Sequence, residues 1–230
     1  MKKIFENVFV MCLTIAMLVV IAACTTQASG NNSAATPVTK DATSIVGDFT
    51  TSRYFTRDAI PKDSIEKILT AGINTASASN KQPWHFTAVT NKALLQEIED
   101  AVNKRREANG QKPLAVQEDG KAVDTNIAKV PLFIIVSAEE GAEINAGLAT
   151  QNMAIMAQLL DLGTKIETSP AAAINDNINT FRARLGIPEN QKAVTIIKIG
   201  KIDTSINESV DGYTAATTRN SFNEVATIAE

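Results

Sequence analysis

The segment IPKDSIEKILTAGINT, residues 60–75, has the apolar spacing of an amphipathic helix. Its apolar residues recur three and four positions apart, at Ile65, Ile68, Leu69, Gly72 and Ile73. This spacing places them on one helix face, and we expect Asp63 to be the N-cap. A second amphipathic helix is predicted for NKALLQEIEDAVNKRRE, residues 91–107.

Three shorter segments have the patterns of strands. HFTAVT, residues 85–90, alternates between polar and apolar residues, as half-buried strands do. PLFIIVSA, residues 131–138, is continuously apolar, which is typical of a strand buried on both faces. AVTIIKIG, residues 193–200, is predicted to be a third strand, ended by Gly200. Residues 111–125 are polar and predict a loop.

The most apolar of the predicted helices covers residues 145–162. Its polar side chains keep to a narrow stripe, so we expect it in a core or a subunit interface. A shorter helix is predicted within NINTFRARLGIP, residues 177–188, where Gly186 and Pro188 stop it. Helices and strands are mixed without strict βαβ repetition, and this order favours an α+β fold over a doubly wound α/β fold.

The first residues have the pattern of an export signal. A basic start, Lys2 and Lys3, precedes an apolar run, Val8 to Ile21, that is too short for a comfortable membrane span. The run ends in IAAC, which resembles a bacterial lipobox, whose cysteine becomes the lipid-carrying first residue of the mature chain. The alternative is an ordinary signal peptide cut at an alanine, with Cys24 incidental.

We therefore divide the chain into three parts. Residues 1–23 are predicted to be a lipoprotein signal peptide, and residues 24–40 a lipidated Cys24 with a flexible tether rich in Ser, Thr, Asn, Ala and Gly. Residues 41–230 are predicted to form one domain of about 190 residues, which is long enough for a real core. The expected location is extracytoplasmic, at the bacterial cell membrane.

Composition narrows the chemistry of this domain. The chain has one histidine and two cysteines, and Cys12 leaves with the signal, so metal sites and thiol catalysis are not expected. Removal of residues 1–23 takes away two lysines and one glutamate, which changes the net charge from −3 to −4. A mildly acidic domain gives no reason to expect nucleic acid as a partner. The phosphate loops GxGxxG and GxxxxGK[ST] are also absent from the sequence.

Four segments resemble the motifs of the FMN-dependent nitroreductase family. RYFTR, residues 53–57, resembles the opening basic motif of that family, and ASASNKQPWHF, residues 76–86, resembles its P-S-S-x-N-x-Q-P-W-x-F loop. GLATQNMAIMAQLLDLGTKI, residues 147–166, resembles its apolar helix segment. LGIPENQKAVTIIKIGK followed by TRNSFNEV, residues 218–225, resembles its closing strand and tail.

The resemblance implies an FMN-binding, nitroreductase-like α+β domain with a mixed or antiparallel sheet flanked by helices, in an intertwined homodimer. It places Arg53, Arg57 and Arg219 at the flavin phosphate, which binds well to guanidinium forks. For any one of these arginines alone, the alternative is a solvated surface charge. The loop before Trp84 would reach the flavin of the other subunit, and the backbone from Ile166 to Ser169 would lie over the flavin ring. KIETS replaces the glycine-rich stretch usual there.

The residues that the resemblance assigns to cofactor binding are these: Arg53, Tyr54, Phe55, Arg57, Ala76, Ser77, Ala78, Asn80, Ile166, Glu167, Thr168 and Arg219. It assigns no catalytic side chain, because the flavin supplies the chemistry. Small and amide residues in the loop suit a flat ring that needs close backbone approach and neutral hydrogen bonds. His85, the sole histidine, is interpreted as a strand residue rather than a ligand.

Three functions remain open from the sequence. The first is a membrane-tethered oxidoreductase that passes hydride or electrons by ping-pong turnover to a nitroaromatic, a quinone or a similar small acceptor. The second is a flavin-binding lipoprotein without turnover, and the third is a surface interaction protein that kept the fold and lost the cofactor. A chain exported unfolded would meet its flavin outside the cytoplasm, so we expect an electron donor other than cytosolic NAD(P)H.

Overall fold

The computed structural model describes residues 41–47, 49–114, 126–205 and 219–229. At its centre is a four-stranded antiparallel sheet with the order β1-β2-β4-β3. The strands are β1 Trp84–Val89, β2 Leu132–Glu139, β3 Gly163–Glu167 and β4 Gln191–Gly200. The two central strands are the most apolar ones, and β1 and β3 form the edges, so the α+β prediction is confirmed.

Seven α-helices are formed by the described residues: α1 Ala42–Gly47, α2 Lys62–Ile73, α3 Lys92–Ala108, α4 Glu143–Leu159, α5 Ser169–Asp176, α6 Ile178–Leu185 and α7 Phe222–Val225. Two 3-10 turns, Ala78–Asn80 and Ile127–Lys129, lie between them. No helix among the described residues is long and apolar enough to cross a membrane.

The sheet is covered on both faces by helices. On one face Phe133, Ile135 and Ile196 pack with buried residues of α3, α5 and α6. On the other face Ile134 and Ile197 pack with buried residues of α2 and α4. Alternate residues of β2 and β4 therefore enter two different cores, which explains why both strands are continuously apolar.

The bounds of two predicted helices are corrected by the structure. The N-cap of α2 is Pro61 (φ −57°), and Asp63 lies inside the first turn instead of capping it. Proline has no N–H to leave unsatisfied and its φ suits a helix entrance, so the helix begins earlier than the aspartate suggests. The apolar helix α4, predicted for residues 145–162, begins earlier, at Glu143. It also ends earlier, at Leu159, because Asp161 has a positive φ of 60° and cannot continue the helix.

The pair β3 and α5 has no clear pattern in the sequence. Its residues, GTKIETSPAAAIND, contain Ile166 as the only large apolar residue of the strand. An edge strand with charged side chains lacks the alternation that predicts a strand. Residues 1–40 and 115–125, including the predicted signal, the tether and most of the polar loop, lie outside the described residues.

The segment before α2, residues 52–56, bonds to the start of β3 and to the residue that follows β4. The Ser52 N–H donates to the Thr164 carbonyl at 2.8 Å, and the Thr56 N–H donates to the Lys201 carbonyl at 2.8 Å. Two glycines allow this close approach, since a Cβ at Gly163 would lie 2.5 Å from Ser52 Oγ and one at Gly200 would lie 2.8 Å from Phe55 Cβ.

We expect Gly163→Ala to destabilise the protein by about 1–3 kcal/mol, because the added methyl group forces the strand and the segment around Ser52 apart. The free energy of unfolding in urea measures this loss. Gly47→Ala is the matched control, since a Cβ there meets nothing within 4 Å, and it should change stability by less than about 0.5 kcal/mol. Equal effects of the two changes would refute the packing argument.

Candidate functional site

The loop before β1 is held in a strained conformation. Ser79, Asn80 and Gln82 all have positive φ, at 51°, 53° and 48°. Ser77 stabilises the loop, since its Oγ accepts from the Gln82 N–H at 2.9 Å and its carbonyl accepts from the Asn80 N–H at 2.9 Å. Positive φ is uncommon outside glycine and is found preferentially at functional sites, so the loop is a candidate binding element.

Two asparagines of α4 hold this loop in place. Asn152 Nδ2 donates to Thr75 Oγ1 at 2.8 Å, and Asn145 Oδ1 accepts from the Ala78 N–H at 3.4 Å. They are seven residues apart and therefore lie on one helix face. The sequence analysis did not assign either asparagine to the site, although a polar residue on the most apolar helix is a signal for a specific contact.

The residues after the loop belong to β1, as the sequence predicted. Trp84 begins the strand, and its ring stacks on Phe86 with the ring centres 6.0 Å apart. His85 lies within the strand opposite Ser137 of β2. Among the loop residues assigned to the cofactor, Ala76, Ala78 and Asn80 are exposed and Ser77 is half-buried.

The opening basic segment places its residues in different environments. Tyr54 and Phe55 are buried, at 5% and 7% exposure, so their side chains belong to the core. Arg53 is half-buried and Arg57 is exposed. Arg219 of the tail donates from Nη2 to the carbonyl of Phe49 at 3.1 Å, which brings the tail arginine to the start of this segment.

Arg57 lies close to a second cation. Burial and then the positive charge of Arg57 lower the pKa of Lys92, the first residue of α3. Lys92 Nζ donates to the Val130 carbonyl at 2.7 Å. The sequence motifs gave no indication of Lys92, because it is brought near Arg57 only by the fold.

The end of β3 carries a buried ion cluster. Glu167 Oε2 lies 2.8 Å from Lys198 Nζ, and Glu167 Oε1 lies 3.1 Å from Lys165 Nζ. Burial opposes ionisation of Glu167, but the charges of Lys198 and Lys165 outweigh it and hold the pKa of Glu167 below its ordinary value. Ile166 and Glu167 are half-buried, and Thr168 is exposed as the N-cap of α5.

The strand order separates the assigned residues into two groups. The loop from Ala76 to Asn80 leads into β1, whereas Ile166 and Glu167 belong to β3, and these strands are opposite edges of the sheet. With β2 and β4 between them, the edges are about 14 Å apart. Arg53 and Arg219 lie with the second group, since Ser52 pairs with Thr164 at the start of β3.

A cleft of about 460 Å³ lies elsewhere and includes none of the assigned residues. It is lined by residues of α5, α6 and the start of β4, among them Asn175, Arg182 and Gln191. These side chains bond to neighbouring backbone and side-chain groups, as Asn175 does to both the N–H and the carbonyl of Ala193. The cleft is therefore a feature of packing at the helix ends, apart from the candidate site.

Comparison with known proteins identifies the family of the chain. A family model described as "Nitroreductase family" matches residues 50–201. The chain is 27% identical, over 64% of its length and 78% of the relative's, to a "Putative NADH dehydrogenase/NAD(P)H nitroreductase" of Archaeoglobus fulgidus.

Two solved structures share the fold. One is a nitroreductase with bound FMN from Bacteroides fragilis, with a TM-score of 0.64, 22% identity, and coverage of 84% of this chain and 100% of that one. The other is a nitroreductase with bound FMN from Desulfitobacterium hafniense, with a TM-score of 0.65, 19% identity, and coverage of 82% and 98%. At these identities, the likeness shows the fold alone.

We expect Glu167→Gln to cost about 3–5 kcal/mol of stability at pH 7, because it leaves buried lysine charge facing a neutral amide. Since the folded pKa of Glu167 is lowered, the carboxylate stabilises the protein above its unfolded pKa of about 4.3 and stops doing so as the pH falls through the folded pKa. The difference between wild type and variant should therefore shrink as the pH falls below the unfolded pKa of about 4.3 and through the lower folded pKa.

Urea unfolding at a series of pH values measures this difference. Glu66→Gln is the control, since its ion pair with Lys62 is 3.4 Å long and its side chain is 63% exposed, and it should change little at any pH. A Glu167→Gln effect that stays constant with pH would contradict the ionised state of Glu167.

Proposed function

Since the chain belongs to the nitroreductase family, we propose that it is an FMN-dependent oxidoreductase that reduces nitroaromatic, quinone or similar small acceptors in a ping-pong reaction. The observation that carries the proposal is the match over residues 50–201, which contains the opening basic segment, the strained loop and the end of β3. Bound FMN would supply hydride transfer, and the residues of the chain would bind and orient it.

The described residues fit this cofactor. Arg53 follows Ser52, which bonds to Thr164 of β3. Arg219 bonds to the carbonyl of Phe49, so both arginines belong to this edge of the sheet and would offer guanidinium groups to a phosphate. Thr164 presents its carbonyl to Ser52 on the outer side of β3, so the backbone of Ile166, two residues further, faces the same outer edge. That edge suits the amide-like rim of a flavin ring.

Absorbance of the purified full-length protein tests the activity. A flavin spectrum that bleaches with a reductant and returns on addition of a nitroaromatic or a quinone is the expected result. A flavin that binds but is not reoxidised by these acceptors would favour the flavin-binding lipoprotein, and a colourless protein that does not take up FMN would favour the interaction protein.

We expect Arg53→Ala or Arg219→Ala to weaken FMN binding by about 1.5–3 kcal/mol, roughly tenfold to a hundredfold, because each removes a charge-assisted bond to the phosphate. Fluorescence titration of the apoprotein measures the affinity. Riboflavin, which lacks the phosphate, should bind equally well to wild type and variants.

Arg184→Ala is the control, since Arg184 is an exposed residue whose guanidinium pairs with Glu97 at 2.8 Å on the helix surface. It should not change FMN affinity. Equal losses for FMN and riboflavin in the Arg53 and Arg219 variants would show that these residues act on the fold instead of the phosphate.

A homodimer would complete the site. The strained loop and the β3 group lie at opposite edges of one sheet, so they meet at one flavin only if the loop comes from a second copy. The chain also exposes a row of apolar residues on α4, with Ile144 80% and Leu148 50% exposed, and further ones in the tail at Phe222, Val225 and Ile228. Exposed apolar patches of this kind mark interaction surfaces.

Sedimentation should therefore give twice the chain mass, and Ile144→Asp should shift the protein towards monomer and weaken FMN binding. Thr180→Asp places the same charge on an exposed position of α6, which covers the opposite face of the sheet, and should leave the mass unchanged. A wild-type monomer that binds FMN and turns over would refute the shared site.

The lipid anchor is proposed from the sequence, since Cys24 lies outside the described residues. A lipidated cysteine would hold the domain at the extracytoplasmic side of the cell membrane, away from cytosolic NAD(P)H. The electron donor would then be a membrane or extracytoplasmic carrier, although NADH could still reduce the purified flavin.

We expect Cys24→Ser to leave the protein soluble or unprocessed, because the lipid supplies nearly all of its membrane affinity. Membrane fractionation and chain size measure this outcome, and protease added to intact cells should digest the wild-type domain. A mature-sized variant that still pellets with membranes, or a wild-type domain protected in the cytoplasm, would contradict the anchor and restore NAD(P)H as the default donor.

A further inference from the structure

Lys198 lies near the end of β4, two residues before Gly200, and is almost completely buried. Its side chain is 1% exposed, between Ile197 and Ile199 in the strand. Lysine is almost never fully buried unless it is paired, because removing an ammonium group from water is costly. A continuously apolar strand that places a lysine here needs a physical reason for it.

Lys198 belongs to a cluster with Lys165 and Glu167 on one face of the sheet. Lys165 is the register partner of Lys198 across the β3–β4 pair, and Glu167 is the partner of Ile196, so all three side chains point to the same face. The lysine Nζ atoms lie 2.8 Å and 3.1 Å from the two carboxylate oxygens of Glu167. The side chains of Lys165 and Glu167 are 16% and 18% exposed.

Stability alone does not account for this cluster. Replacing a buried ion pair by apolar residues of similar volume is often neutral or stabilising, so such pairs are weak evidence of a stabilising role. The position of the cluster gives a better account. Glu167 is the last residue of β3, and the next residue, Thr168, is the N-cap of α5.

We propose that Lys165, Glu167 and Lys198 form a charged cluster at the end of β3 that stabilises bound FMN more in its reduced state than in its oxidised state. The proposal rests on the proposed function, which places the flavin at the outer edge of this strand end. A hydride carries two electrons and one proton, so the flavin ring gains one negative charge when a two-electron donor reduces it. The two ammonium groups outweigh the one carboxylate, and this net positive charge in a poorly solvated site attracts the negative charge of reduced FMN.

This proposal predicts charge effects of opposite sign. Lys198→Met removes one positive charge from the cluster, and the affinity for reduced FMN relative to oxidised FMN should fall about tenfold, which is about 30 mV for a two-electron couple. Glu167→Gln removes the negative charge, and the same ratio should rise by a similar factor. The double variant Lys198→Met/Glu167→Gln should return close to the wild-type value.

The measurement is the midpoint potential of FMN bound to the full-length protein, found by equilibration with redox dyes during dithionite titration. Fluorescence titration of oxidised FMN provides a second readout that is independent of turnover. Lys192→Met is the matched control, since Lys192 is an exposed lysine at the other end of the same strand. The midpoint potential of FMN bound to this variant should equal that of FMN bound to wild type.

Circular dichroism identifies variants that fail to fold. If Lys198→Met is unfolded, Lys165→Met removes the same charge from a less buried position and should lower the potential in the same direction. Potentials that move in the same direction for Lys198→Met and Glu167→Gln, or that do not move, would overturn the electrostatic role and leave a structural one. A wild-type protein that binds no FMN would refute the proposed function itself, so the two failures are distinct.

Discussion

The arrangement of the domain depends on the hydrogen-bonding requirement of one buried strand. β4 is paired on both sides, with β2 and with β3, and most of its residues are buried. A buried backbone must satisfy every N–H and C=O, so the two pairings fix the register of the whole sheet. Because side chains alternate across this strand, its residues also divide the interior into two cores, one for α3, α5 and α6 and one for α2 and α4.

The same strand order separates the candidate binding residues of a single chain. β3 is one edge of the sheet, and Ser52 of the opening segment bonds to it. Arg53 follows Ser52, and Arg219 bonds to Phe49 of the same segment. The strained loop is fixed at the other edge by Asn145 and Asn152 of α4. If both elements bind the flavin, as proposed, they would be two half-sites, and a shared site between two copies of the chain would bring them together.

Sequence patterns predicted the parts of the fold whose burial is periodic. β1, β2, β4 and the helices α2, α3, α4 and α6 follow such periods, and each was found within a few residues of its expected bounds. β3 and α5 were missed, because an edge strand whose buried charges satisfy one another has no apolar alternation. Lys92, Asn145 and Asn152 were missed for a different reason, since their importance comes from neighbours that are distant in the chain.

The departure of the chain from the glycine-rich pattern at KIETS has a conformational explanation. Among the described residues, positive φ at non-glycine positions occurs at Ser79, Asn80, Gln82 and Asp161, and Thr168 has φ −115°. The backbone at the end of β3 therefore stays in a region open to any residue, and a glycine is not required there. Positive φ, a form of strain that binding sites often store, lies instead in the loop before β1, which is held by hydrogen bonds that Ser77 and Asn145 accept and that Asn152 donates. A glycine-rich stretch is therefore not required at this strand end, where the carboxylate of Glu167 belongs to the charged cluster with Lys198.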